Sequence, residues 1–383
     1  MFSTQSEPSI CCPRKLISRF VTTEMHLLSI VSVYIYNIRP IWYHIYSSLR
    51  KYPADAGRRG TIHSHRQFSA PGGNHMKYYK INNTDLEVSA FSLGTMRLPQ
   101  LSLDAAEQLV LTAVESGINF IDEADIYGAG DSEAMIGKIL ANNPGLREKI
   151  ILQSKAGIVF RDGHRYDMSR DYIIPAVEQS LERLGTNHLD ILLLHRPDAL
   201  MDPAEVADTF EELQQAGKVR YFGVSNQNVS QMQLLRKYMK MPLIINQLQL
   251  SVIHSAMIDQ GIFVNMTDSR AIDRDGGVLN YCMLNDILIQ PWSPLQASWA
   301  DGTFINNPKY EKTNVVLGNL ADKYGVTKTA VALAWILRHP ANMQPTLGTT
   351  STVHLKESLA ALDFRLTAQE WYDLYLAEDK PLP

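Results

Sequence analysis

The sequence predicts an α/β protein built as a (β/α)8 TIM barrel. Three observations carry that expectation. From Met76 onward, strand-like and helix-like runs alternate, with eight barrel strands once a strand within SAFSLGT (89–95) is counted. The strands are short and nearly all apolar, as expected where both faces are buried. Several end abruptly in chemically capable side chains, the arrangement of an active-site rim at the C-terminal face of a barrel. The 308 residues from Met76 suit that architecture with some excursions. A doubly wound open sheet fits less well, because no GxGxxG opens a first helix.

The elements follow in order. MKYYKI and LEVSAFSL flank NNTD as a hairpin. The helix expected over 102–117 has a serine cap, an early acid, apolar residues on one face and Gly117 as its stop. Strand 119–124, helix 131–141, strand 149–155 and helix 170–184 come next. Strand 189–195, helix 203–216, strand 220–225 and helix 229–239 follow. Strands 243–249 and 287–292, helix 313–337, strand 343–348 and helix 352–362 complete the barrel. A last helix over 366–377 opens with Thr367 and Glu370, the spacing of a capping box. The irregular stretch 251–286 reads as a loop with a short helix.

Residues 1–75 differ in character. They carry nine Lys and Arg against three acids, a net +6, which leaves −10 for 76–383. Within them, MHLLSIVSVYIYNI (25–38) is too short to span a bilayer and is cut off by Arg39 and Pro40. GRRGTIHSHRQFSAPGGNH (57–75) has the composition of unstructured linker. The expected division is therefore a disordered or non-native extension, 1–75, and a barrel domain, 76–383. The overall charge of −4 is modest and mixed, so nothing calls for nucleic acid or a membrane as partner. Three cysteines form neither a disulfide framework nor a metal-ligand spacing, which fits a reducing cytoplasm. No metal site is expected, and a monomer is.

The chemistry sits at the strand ends. In NFIDEADIYGAGDSE (119–133), an apolar run meets Asp122, Glu123, Asp125 and Tyr127. ILQSKAG brings Lys155, LDILLLHRPD brings His195, and IINQLQ brings Asn246 and Gln247. On a barrel, Asp122, Tyr127, Lys155 and His195 open onto one face. A tyrosine is a poor acid at neutral pH unless a cation stabilises its phenolate. Lys155, paired to Asp122, can do this while His195 hydrogen-bonds a substrate oxygen.

In these motifs the chain resembles the aldo-keto reductase superfamily, and within it the bacterial branch of general oxidoreductases. The resemblance runs from 77 to about 365 through FSLGTMR, FIDEADIYG, ILQSK, ILLLHRPD, GKVRYFGVSN, NQLQ, PWSPL and LGTTSTVHLKES. It implies a barrel sealed at its bottom by the N-terminal hairpin, and an NAD(P)H-dependent reduction of an aldehyde or ketone. The family's catalytic tetrad falls on Asp122, Tyr127, Lys155 and His195. Ser225, Asn226 and Gln247 would meet the nicotinamide carboxamide and Trp292 would stack on its ring. Ser293 and Leu295 would lie along the pyrophosphate. Gly348 and Thr349 precede a helix whose N–H groups would hold the adenosine phosphate.

Two departures stand out. IDEA replaces the family's usual FDTA, so that Glu123 stands beside the catalytic carboxylate, facing either the pocket or the helices. His354 stands where the family commonly has an arginine on the 2′-phosphate of NADPH, giving up a permanent charge and a rigid donor fork. Lys356 is a candidate substitute. NADP(H) is therefore the expected cofactor, with NAD(H) left open. Two other functions compete: a barrel lyase or aldolase forming a Schiff base on Lys155, and a regulatory protein that binds the cofactor with little turnover.

Overall fold

The structure, a computed structural model, describes residues 76–160, 163–378, 380, 382 and 383. The expected extension, 1–75, and its apolar stretch, 25–38, lie outside the described residues.

The chain opens with β1 (Tyr78–Lys80) and β2 (Glu87–Ser89), an antiparallel hairpin. The strands β3 (Ser92–Gly94), β4 (Phe120–Asp122) and β5 (Ile151–Ala156) follow. A small hairpin of β6 (Ile158–Val159) and β7 (Arg165–Tyr166) comes after β5. Then come β8 (Leu189–Leu194), β9 (Val219–Ser225), β10 (Leu243–Gln249) and β11 (Leu288–Trp292). A second small hairpin, β12 (Gln296–Ser298) with β13 (Gly302–Thr303), precedes β14 (Thr346–Leu347).

Eight of these form one parallel sheet in the order β11-β10-β9-β8-β5-β4-β3-β14. Its two ends meet where the Gln344 N–H, just ahead of β14, donates to the Ile289 carbonyl of β11 at 3.0 Å. The sheet is thus a nearly closed barrel with helices outside, as the alternation predicts. No described helix is long and apolar enough to cross a membrane.

Apolar packing falls into two layers. Outward-facing strand residues such as Leu152, Leu192, Phe222 and Ile289 join the apolar faces of the helices in the large outer core. Inside the lower barrel, Phe120, Ile191, Leu193, Ile244 and Ile245 pack with Ile81, Leu86 and Val88 of the hairpin. The hairpin therefore plugs the bottom, and chemistry is left to the opposite end.

The local signals explain most boundaries. Ser102 caps the helix Leu103–Glu115 by accepting from the Ala105 N–H at 3.3 Å. Thr367 and Glu370 form the expected capping box ahead of Ala368–Leu376. Asn228 and Gln231 form another ahead of Val229–Arg236, which stops short of the expected 239. The expected continuous helix 313–337 is two helices, Glu311–Tyr324 and Lys328–Leu337. Gly325, at φ 65°, ends the first in the left-handed region, and the Thr327 side chain caps the second. Apolar spacing runs through both because both lie on the barrel, so periodicity alone hides the break. Strand 343–348 shrinks to two paired residues, β14. The stretch 251–286 holds two short helices, Ala256–Ile262 and Val278–Leu284, where one was expected.

Candidate active site

The C-terminal face opens into a cavity of about 1080 Å³. Asp122, Tyr127 and His195 line it, and so do Ser225, Asn226, Gln247, Trp292, Ser293, Leu295, Gly348, Thr349 and His354. Lys155 lies beneath them, fully buried. Most of the strand-end residues singled out in the sequence are therefore brought to one place by the fold; Asp125 and Asn246, whose Nδ2 donates to the Gln227 carbonyl at 2.9 Å, do not line the cavity.

At the cavity floor, the Lys155 ammonium is 2.7 Å from Asp122 Oδ1 and donates to the Tyr127 hydroxyl at 3.1 Å. Its third contact is the Glu123 carbonyl, at 2.8 Å. Burial by itself would lower the Lys155 pKa, but Asp122 and Tyr127 outweigh it and raise the group above its usual value. The lysine is a held cation. As it neither lines the cavity nor loses its proton, it is badly placed for a Schiff base.

Tyr127 is aimed by its own turn. Gly128, Ala129 and Gly130, at φ 59°, 56° and 100°, follow it in the left-handed region. Ala129 carries a side chain there, strain of the kind that gathers where a site over-determines its backbone. Burial raises the Tyr127 pKa, while the Lys155 cation pulls the other way and Asp122 adds to the rise. The hydroxyl thus rests protonated beside a cation that can stabilise its phenolate.

The His195 ring meets the Tyr127 ring edge to face, with centroids 5.9 Å apart. Burial first, then the Lys155 and Arg196 cations, hold its pKa well below the usual value, so it is neutral. Its Nδ1 is buried with no partner among the described residues, which leaves Nε2 to serve the cavity. A neutral imidazole with its proton on Nε2 is a donor for a carbonyl oxygen.

Glu123 faces the helices. Its Oε1 accepts from Ser132 Oγ at 2.9 Å, and it does not line the cavity. It joins Glu133, which accepts from Ser154 Oγ at 2.6 Å and from Arg183 Nε at 2.8 Å, in a buried acidic layer behind β4. The two helices beside this layer pack closely, since a Cβ on Gly137 would collide with the Arg183 carbonyl oxygen. Burial, and next the Glu133 charge, push Glu123 up to about 8 and Asp125 up to about 7.

The rest of the cavity wall is built from the segments that follow β9, β11 and β14. Asn226 and Ser293, the residues directly after β9 and β11, have φ of 56° and 51°, in the left-handed region. Asn226 Oδ1 accepts from the Trp292 indole at 3.0 Å, which fixes that ring against the cavity wall. Ser351 caps the helix Thr352–Leu359 through the His354 N–H at 3.3 Å, and His354 is exposed on its first turn. Lys356 does not line the cavity, so it is not the substitute cation.

Several lining residues escaped the sequence reading. Lys328 is one of them, and another is Arg97, which donates to the Gly348 carbonyl. Phe160, His164, Tyr166 and Trp299 line the outer mouth. Arg97 carried a signal, within FSLGTMR; Lys328 opens a helix hidden inside the expected span 313–337, and the others sit on excursions whose course the sequence pattern leaves open.

A parallel barrel whose C-terminal face gathers a tyrosine, a lysine, a histidine and a carboxylate around one cleft is an enzyme equipped for acid–base chemistry on a bound substrate. The chain belongs to the aldo/keto reductase family, whose model matches residues 90–375. It is 35% identical over 305 residues to the "Uncharacterized oxidoreductase YcsN" of Bacillus subtilis, spanning 76% of this chain and 95% of that protein. It is 32% identical over 311 residues to a 6-dehydroglucose reductase of Novosphingobium aromaticivorans, spanning 78% and 95%. Among solved structures, the thermostable aldo-keto reductase Tm1743 superposes with a TM-score of 0.63 at 25% identity, covering 79% of this chain and all of that one. The protein is thus an NAD(P)H-dependent oxidoreductase, and NADP(H) is the cofactor typical of its family in this fold.

Proposed function

We propose that the enzyme reduces an aldehyde or ketone with NADPH in preference to NADH, with Tyr127 as the general acid. The observation that carries this reading is the buried Asp122–Lys155–Tyr127 chain, with its 2.7 Å and 3.1 Å links. The bound cofactor supplies the hydride. Ser225, Asn226 and Gln247 hold the nicotinamide carboxamide, Trp292 stacks on its ring, and Ser293 and Leu295 run along the pyrophosphate. Gly348, Thr349 and His354 receive the adenosine end.

His195 donates from Nε2 to the substrate carbonyl oxygen and orients it. Tyr127 gives its proton to that oxygen as negative charge develops there. Lys155 stabilises the phenolate left behind, and Asp122 keeps Lys155 in place and charged. Because the developing alkoxide is far more basic than a phenol, a tyrosine that rests protonated is a loaded acid even with its pKa raised.

The carbonyl panel begins with sugar aldehydes, since two relatives are 6-dehydroglucose reductases. An NADH-specific methylglyoxal reductase of Escherichia coli, 27% identical, adds dicarbonyls to the panel and makes both cofactors worth titrating. Reduction of members of this panel by wild-type protein, abolished in Tyr127→Phe with NADPH still bound, is the expected result. No turnover of any carbonyl with either cofactor would overturn the reading and favour a cofactor-binding regulatory protein.

A further inference from the structure

The barrel interior departs from the usual filling of branched apolar layers. Above the plug of Phe120, Ile191, Leu193 and Ile245 stands a layer of glutamines, Gln153, Gln247, Gln290 and Gln344, all buried. They form one connected hydrogen-bonded run. Gln153 Nε2, from the opposite wall, donates to Asp122 Oδ1 at 2.6 Å and to Gln290 Oε1 at 3.0 Å. Gln247 Nε2 donates to the same Gln290 oxygen at 3.3 Å. Gln290 Nε2 donates to Gln344 Oε1 at 2.7 Å, and Gln344 Nε2 to the Ser89 carbonyl at 2.6 Å.

Chemistry alone sets the direction of every amide in this run. Each end is an acceptor that does not donate: the Asp122 carboxylate, ion-paired with Lys155, and the Ser89 backbone carbonyl. Gln344 must turn its NH₂ to Ser89, so its oxygen faces Gln290. Gln290 must then donate to Gln344 and accept on the other side. Gln153, with its NH₂ toward Asp122, reaches that oxygen with its second hydrogen. Gln247 is left only one choice, to give its NH₂ to Gln290, and its own Oε1 takes no bond among the described residues.

We propose that Gln290 is a positioning residue that turns Gln247 so that an oxygen, and not an NH₂, faces the nicotinamide carboxamide. Gln290 does not line the cavity, so it acts through Gln247. Its neighbours in the carboxamide site support this division of labour. The Asn226 amide is engaged on both sides, giving one Nδ2 hydrogen to Ser225 Oγ at 2.7 Å and accepting from Trp292 on Oδ1. Ser225 Oγ gives its hydrogen to the Gln247 carbonyl at 3.1 Å. Of the three side-chain oxygens, Gln247 Oε1 alone has no partner among the described residues, and it would favour a ligand group that carries an N–H. This inference rests on the cofactor reading above.

The test is equilibrium binding, followed by tryptophan fluorescence at pH ~6, of NADPH and of its 3-acetylpyridine analogue, which keeps the carbonyl and lacks the NH₂. Wild-type protein is expected to favour NADPH by roughly five- to tenfold, the value of one neutral hydrogen bond. Gln290→Met keeps the shape and removes both the acceptor and the donor, so Gln247 is free to turn over and the preference shrinks to about twofold or less. Gln290→Glu restores the preference, because a buried carboxyl beside Asp122 stays protonated and can both accept from Gln247 and donate to Gln344. Circular dichroism and thermal melting establish that each variant is folded; should Gln290→Met fail to fold, Gln247→Glu and Gln247→Leu carry the same comparison, with the preference kept in the first and lost in the second. A folded Gln290→Met variant with the wild-type preference overturns the proposal while leaving the cofactor reading intact. A wild-type protein that binds neither dinucleotide overturns the cofactor reading and this inference with it.

Discussion

The Lys155 ammonium and the Tyr127 hydroxyl lie 3.1 Å apart at the floor of the cavity, with the lysine wholly shielded from solvent. In such surroundings a cation acts on its neighbour with little screening, so a small displacement of Lys155 is felt directly by the phenol. Tyr127→Phe removes only the hydroxyl. The rate of hydride transfer is expected to fall by about 10²- to 10⁴-fold in single-turnover measurements, with NADPH affinity unchanged. A variant retaining more than a tenth of the wild-type rate would remove Tyr127 from the acid's role.

Asp122 and Lys155 are both buried, which makes either one alone a liability. Lys155→Met leaves a carboxylate without its cation, and a loss of ~3–5 kcal/mol is expected in urea unfolding. Adding Asp122→Asn should recover most of that stability without recovering activity. If the single and double variants unfold at the same urea concentration, the pair does not stabilise the fold through its charge balance.

The acidic layer behind β4 predicts an unusual pH dependence. Glu123 is raised from 4.5 to about 8 and Asp125 from 3.8 to about 7. A carboxyl group with a raised folded-state pKa holds its proton in the folded protein after the unfolded chain has released it. Stability is thus greatest at acidic pH and declines as pH rises through these windows, by up to ~1.4 kcal/mol per pH unit for each group. Above about 8 the Glu123 share is fully lost. Glu123→Gln should raise the melting temperature at pH ~8.5 and flatten its dependence on pH. Parallel melting curves for the two proteins between about pH 5 and 8.5 would exclude Glu123 as the cause.

Cofactor choice turns on the adenosine end. His354→Arg is expected to strengthen the NADPH preference by roughly ten- to a hundredfold, the value of one charge-assisted hydrogen bond to the 2′-phosphate. Lys328→Ala should weaken NADPH binding more than NADH binding if this cation on the cavity lining reads the phosphate. Equal effects on the two cofactors would mean that neither position reads the phosphate.

Deletion of residues 1–75 is expected to leave melting temperature, cofactor affinity and turnover unchanged, because the hairpin, the barrel strands and the cavity all lie beyond Met76. Loss of folded protein on truncation would assign the extension a structural part.

Much of the barrel and its site was legible because local rules apply to them. Strand ends announce themselves where apolar runs stop, and in this chain Asp122, Lys155, His195 and Gln247 each stand at or beside such a stop. Helix caps at Ser102 and Thr367 read directly, since a cap and its partner are three residues apart. The family resemblance carried the residues that have no such local sign, Trp292 and Ser293 among them.

What the sequence determined by itself was therefore the alternation of elements, the barrel class and the identity of the strand-end residues. Tertiary structure decided the rest. Alternation along β4 puts Asp122 and Glu123 on opposite faces, but only barrel closure makes Asp122's face the inside and buries Glu123 against Ser132. The break at Gly325 was masked because one outer surface of the barrel demands apolar residues of both helices. The run from Gln153 through Gln290 to Gln344 joins residues 137 and 54 positions apart in the chain. Its amide directions depend on acceptors at both ends that meet only when the sheet curls round, and a hydrogen bond across a barrel leaves no periodic trace in a linear sequence.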